Sequence, residues 1–308
     1  MLQHLPSLQH LHVDEDGLET IVPTVDLHDL VKFSPTPFSL KCLSWFSYGL
    51  SLNAEKFARF IDDQPLLEQL FIPNLHIPSM RSGAQPIGIR RSSLEGLRVL
   101  HISIRMAPSF FFGRHITHLK IDSAADVSYS TWQALDTDAL RSVVVCVLEC
   151  IQLEYFTSSL APCMPNLERL QLAPLYVPTV TMLCRSAEMG TTKLRHLRFT
   201  DPWRRDGRAR NTLSEGVAIA FAAIPSLCCI SLDTGYVTDS TSNFFPTYDF
   251  FFGTTTPVRL RARDFPPPQW WQDWEEGFDP VSGSEELAST SALSRMSPGQ
   301  FIMFNSPS

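Results

Sequence analysis

No stretch of this chain is apolar for long enough to cross a membrane. The longest candidate, residues 217–232, is interrupted by Pro225 and Ser226 and falls short of the roughly 20 residues a spanning helix needs. Met1 to Val13 carries three histidines and no apolar run of signal-peptide length. No Asn-x-Ser/Thr acceptor occurs. The cysteines number seven in 308 residues, which is too few for a disulfide framework and odd besides. Together these absences point to a reducing, intracellular compartment, cytoplasmic or nuclear. A basic surplus is missing too: net charge is -7, which argues against a phosphate backbone as the main partner.

Motifs that carry chemistry are equally scarce. There is no Gly-x-Ser-x-Gly elbow, and no glycine-rich loop to cradle phosphate, so nucleotide binding has no support. Cys146, Cys150, Cys228 and Cys229 lack zinc-site spacing and read as small buried hydrophobes. His10-x-His12-x-Asp14 would set three potential metal ligands on one strand face, yet nothing places further ligands beside them. A surface row is the simpler reading, with no metal. The expectation is therefore no catalytic residue and no cofactor. A hydrolase on another fold is the remote alternative; it would need nucleophile, base and orienting acid in hydrogen-bond reach. The basic cluster Arg204 to Arg210 reads as an exposed loop, and Trp270, Trp271 and Trp274 as packed aromatics.

What is present is self-similarity. Met164-Pro165-Asn166-Leu167-Glu168-Arg169-Leu170-Gln171-Leu172 repeats the plan of Gln64-Pro65-Leu66-Leu67-Glu68-Gln69-Leu70-Phe71-Ile72. Aliphatic-x-x-aliphatic-x-aliphatic registers begin at Leu8, Leu40, Leu67, Leu97, Ile116, Leu140, Leu167, Leu194 and Leu227, if Trp45 and Phe199 are admitted at the third place. Proline stands two residues before the first leucine at Pro6, Pro65, Pro165 and Pro225. Between registers the sequence turns helical. Asn53 should cap a helix to Asp63 with Phe57, Phe60 and Ile61 on one face. Leu213 to Ala223 should form another, capped by Ser214, with weaker versions at 179–189 and 154–160.

Helix, Pro-x-Leu turn and short strand, repeated, predict an α/β solenoid. Its curved parallel sheet would lie on the concave side, with helices and irregular segments on the convex side. The second and third aliphatic residues of each register face the core, so the residues between them face the other way. That sets His10, His12 and Asp14, then His118, Lys120 and Asp122, then Arg169, Gln171, His196 and Arg198 on the concave face as candidate partner-binding residues. The fourth and sixth registers offer little there, with Val99, His101, Val144 and Cys146. The repeats are expected over residues 1–233, an aromatic-rich cap over 234–278, and a disordered tail over 279–308.

These Pro-x-Leu-Glu-x-Leu cores resemble the irregular leucine-rich repeats of the ribonuclease-inhibitor-like class, and in particular the repeat region of fungal F-box/leucine-rich-repeat proteins. The resemblance implies a non-enzymatic scaffold that binds a protein partner on its concave face. It would be the substrate-recognition part of an F-box-type ubiquitin-ligase receptor, docking the ligase adaptor only if an F-box lies upstream; none is visible here. A structural or inhibitor-like repeat protein without ligase link is the alternative. Neither membrane nor nucleic acid is an expected partner.

Overall fold

Five of the repeats start from a tight turn whose first aliphatic residue donates its N–H to the carbonyl three residues back. Leu67 bonds Gln64, Leu97 bonds Leu94, Val143 bonds Leu140, Leu167 bonds Met164 and Leu227 bonds Ile224, at 3.0 to 3.2 Å. Proline suits this place because its fixed φ is preset for the turn and its missing N–H is not needed. The computed structural model describes residues 6–14, 36–46, 53–73, 75, 87–90, 92–122, 137–151, 153–174, 185, 189–190, 192–201, 210–234, 247–251, 258–260 and 301–305.

The chain divides into two compact units. Unit 1 comprises Met1–Asp122, Ser128–Ala139 and Asp273–Ser308; unit 2 comprises Ser123–Val127 and Leu140–Gln272. In unit 1, strands β1 (His10–Asp14), β2 (Cys42–Trp45), β3 (Gln69–Ile72), β4 (Val99–Ser103) and β5 (His118–Asp122) pair in sequence order, all parallel. In unit 2, β6 (Val145–Ile151), β7 (Arg169–Pro174), β8 (His196–Asp201) and β9 (Cys229–Thr234) do the same. Beyond β9 the direction reverses: β10 (Thr247–Phe251) and β11 (Val258–Leu260) add on antiparallel. Residues 301–305, within the segment read from sequence as a tail, form β12 and pair parallel with β1. Residues 261–300, including Trp270, Trp271 and Trp274, lie outside the described residues.

The strands stay in step because one carbonyl holds two amides of the next repeat. Gln9 O accepts from Lys41 and Cys42, Lys41 O from Glu68 and Gln69, Glu68 O from Arg98 and Val99, and Arg98 O from Thr117 and His118. In unit 2, Val144 O accepts from Glu168 and Arg169, Glu168 O from Arg195 and His196, and Arg195 O from Cys228 and Cys229. Every one of these bonds measures 2.7 to 3.1 Å. The acceptor is always the residue after the first aliphatic.

That rule corrects the sixth register, which begins at Val143 and not at Leu140. Cys146 pairs with Leu170 and Leu148 with Leu172, so Cys146 is a fully buried core residue. The predicted opposite placement of Val144 and Cys146 fails, and Val145 and Val147 take that face. Leu140-x-x-Val143-x-Val145 satisfies the aliphatic pattern three residues too early, whereas the true register, Val143-x-x-Cys146-x-Leu148, has cysteine at its second place.

The core is built from side-chain ladders. Leu11, Leu43, Leu70, Leu100 and Leu119 stand in register across unit 1, each 0% exposed. Cys146, Leu170, Leu197 and Ile230 do the same in unit 2. Helix α1 (Ala54–Asp62) is capped by Asn53, whose Oδ1 accepts from Lys56 N at 3.1 Å, and it buries Phe57, Phe60 and Ile61. Phe57 meets Phe110 of α2 (Ala107–Phe111) edge-on. The stretch expected to be helical at 154–160 begins as a short turn, Leu153–Tyr155, and widens into a π-helix over Phe156–Leu160. Helix α3 (Arg210–Ala223) starts before the predicted cap Ser214, which lies inside it, while Val217, Ala220 and Phe221 are buried as expected. Of the weaker helix at 179–189, only 185 and 189 are described.

Polar groups tie the repeats where leucine does not. Gln64 is 0% exposed, at the place Met164 and Ile224 hold in other repeats. Its Oε1 accepts from Leu40 N at 2.7 Å and its Nε2 donates to Thr36 Oγ1 at 2.7 Å. Asp62 at the end of α1 accepts from Arg90 N and Nε, both at 3.0 Å, and from Ser93. Buried Arg114 donates to the carbonyls of Ser109 and Arg90.

Three stability outcomes follow, all read by urea denaturation. Gln64→Met leaves Leu40 N without its acceptor and should cost about 1–3 kcal/mol, whereas Leu66→Ser, at a side chain 52% exposed, should stay within about 0.5 kcal/mol. Leu170→Ala in the unit 2 ladder should cost about 2–5 kcal/mol.

Candidate functional site

The face opposite the leucine ladders carries the residues that the sequence nominated. In unit 1 its first row runs His10, Cys42, Gln69, Val99, His118, and its second His12, Ser44, Phe71, His101, Lys120. These rows are largely closed. His12 is only 5% exposed, His101 4%, and Ser44 and Phe71 are buried as well. The expectation that His12 stands open is therefore corrected. Cys42, Phe71 and Val99 form a small apolar cluster on this face, with Phe46 packed against it. The Phe46 ring lies 5.9 Å from both the His12 and the His101 rings.

Buried imidazoles need hydrogen bonds. His12 Nδ1 shares one of 2.7 Å with Ser44 Oγ, joining β1 to β2. His101 Nε2 meets Asp122 Oδ2 at 2.7 Å, joining β4 to β5, and Lys120 Nζ lies 4.0 Å from Asp122 Oδ1. His118 Nδ1 is 3.0 Å from Thr117 Oγ1. His101 is hard to single out from sequence because its register looks apolar. Laying the Leu97 and Ile116 registers side by side puts it next to Lys120 and diagonal to Asp122, the signal that would have found it. His10 and His118 stand on strands four steps apart, about 19 Å at ordinary strand spacing, so unit 1 does not gather its nominated residues into one cluster. Asp14 ends β1 in register with β12, and its side chain lies outside the described residues.

Unit 2 does gather its four. Arg169 pairs with His196 and Gln171 with Arg198, a block two strands wide and two rows deep. All four side chains are half-buried. Arg198 Nη1 lies 3.4 Å from Gln171 Oε1. On either side the rows continue through buried Val145 and Val147 on β6 and buried Cys229 and Ser231 on β9. Burial first, then the charges of Arg169 and Arg195, holds the His196 imidazole down to a pKa of about 4. It is a neutral hydrogen-bonding group at physiological pH, set in a positive field.

Thiol chemistry is disfavoured where it was sought. Burial pushes Cys42 up to about 12 and raises Cys146 further, so both stay protonated and inert. Ser44 is hydrogen-bonded to a histidine but is 0% exposed, so its hydroxyl braces two strands and is not offered to a substrate. Among the described residues no three of His, Cys, Asp or Glu stand together as a metal site, and no helix is long and apolar enough to cross a membrane. Of the basic cluster, residues 204–209 lie outside the described residues, and Arg210 opens α3. No family model matches the chain, and no curated protein matches it.

The His196 shift has a measurable consequence. The folded imidazole titrates near 4 and the unfolded one near 6.5, so between these values the unfolded state binds the extra proton. Stability should fall as pH drops through that window and level off below it. Histidine NMR should show one ring unmoved from pH 8 to 5.5, and Arg169→Gln should raise its pKa.

Proposed function

We propose that this chain is a non-enzymatic protein-binding scaffold of the leucine-rich-repeat solenoid type, working as the substrate-recognition part of an F-box-type ubiquitin-ligase receptor. The observation that carries the scaffold reading is the register itself. Nine short parallel strands, five in unit 1 and four in unit 2, pair in sequence order within each unit under one hydrogen-bonding rule. A regular strand array needs little ordering when a partner binds, and its non-core face varies without disturbing the leucine ladders. The ligase link rests on the sequence resemblance alone. Where such a protein has a site, it is a surface patch, and the half-buried block of Arg169, Gln171, His196 and Arg198 has that character. A repeat protein with the same face and no ligase link is the alternative.

Affinity capture tests the scaffold reading. Wild-type protein and the double variant Arg169→Glu plus Arg198→Glu are used as bait, with thermal melts showing equal stability. At least one partner should be lost from the variant. Capture of every partner unchanged overturns the role of this face.

A further inference from the structure

We infer that β7 and β8 of unit 2 dock an extended, acidic segment of a partner protein, its carboxylates engaging Arg169 and Arg198. This rests on the scaffold reading and names the partner's chemistry. The first argument is density of like charge: Arg169 and Arg198 lie within two register rows, with His196 between them in the block and Arg195 exposed at the head of β8. The described side chains flanking these rows, Val145, Val147, Cys229 and Ser231, are uncharged. Burial first, and then the charges of Arg169 and Arg195, keep the His196 ring neutral, so the imidazole adds a neutral donor or acceptor and no competing charge.

The second argument is spacing. Arg169 and Arg198 sit on neighbouring strands, one row apart on the same face. Strands lie about 4.8 Å apart and two residues along a strand span about 6.6 Å, which sets the two arginines on a diagonal of about 8 Å. Carboxylates two residues apart on an extended segment are separated by about the same 6.6 Å and are carried on flexible stems. Arginine's planar fork matches each carboxylate bidentately.

The third argument is the extent of the patch. A nucleic acid fits poorly: the patch spans only about 10 Å of sheet, and the chain's net charge of -7 repels a polyanion.

The test is fluorescence anisotropy with the full chain and three labelled probes: a short peptide alternating Glu and Ser, its Gln/Ser counterpart, and single-stranded DNA of equal length. The Glu/Ser peptide should bind best and weaken with added salt. The variant Arg169→Glu plus Arg198→Glu should bind it at least about tenfold more weakly. Replacing both arginines by Gln should give an intermediate loss, and Arg59→Glu, on α1 in unit 1 and paired there with Glu55, should change nothing. Equal binding of the Glu and Gln peptides, equal binding by wild type and the double variant, or a preference for DNA each overturns the proposal. If the double variant loses a captured partner yet wild type ignores the Glu/Ser peptide, the acidic segment is wrong and the scaffold stands. If neither partner nor peptide responds to the variant, the scaffold reading fails with it.

Discussion

One backbone carbonyl accepting two consecutive amides from the next repeat is the constraint on which the fold depends. A carbonyl oxygen has two lone pairs, and here both are used at the place where a turn becomes a strand. The arrangement recurs from Gln9 through Arg98 in unit 1 and from Val144 through Arg195 in unit 2. Within each unit it locks each strand to its predecessor before any side chain is considered. A slip by one residue would send Leu70 or Leu170 to the wrong face and bring a polar neighbour into the core. The leucine ladders and this bonding therefore enforce the same register, one through burial and the other through hydrogen-bond geometry.

With the register set, the opposite face is free to differ between the units, and it does. Unit 1 fills its rows with aromatic and imidazole rings, pinned by the His12–Ser44 and His101–Asp122 bonds and packed by Phe46 and Phe71. The rings of His12, His101 and Phe71 are buried, and their work is to hold strands together. Unit 2 keeps arginine, glutamine and histidine half-buried on β7 and β8. Half-burial strengthens their electrostatics without sealing them off. It is the combination on which the proposed docking of an acidic segment rests.

The polar exceptions inside the repeats obey the same logic. Gln64 occupies an apolar place because the Leu40 amide and the Thr36 hydroxyl need partners there. Asp62 and Arg114 gather the amide and carbonyls of the chain between α1 and β5. Burial lowers the Arg114 pKa and nearby Asp62 opposes the shift. Each exception answers a backbone group that the local fold leaves without a strand or helix partner.

The aliphatic spacing and the Pro-x-Leu turns determined by themselves that this is an α/β chain of short parallel strands, and they placed eight of nine registers. Such patterns are local: a turn and three alternating side chains are decided within about eight residues, by sterics and burial alone. Position on a face was legible for the same reason. Exposure was not, because it depends on what neighbouring repeats bring to the same row, and so His12 and His101 proved buried. The start of the sixth repeat also needed tertiary contacts: Leu140 satisfies the aliphatic pattern, Val143 meets it only with Cys146 admitted at the second place, and pairing with Leu170 and Leu172 selects Val143. The gathering of Arg169, Gln171, His196 and Arg198 into one block is likewise a fact of pairing, made by strands whose starts lie 27 residues apart.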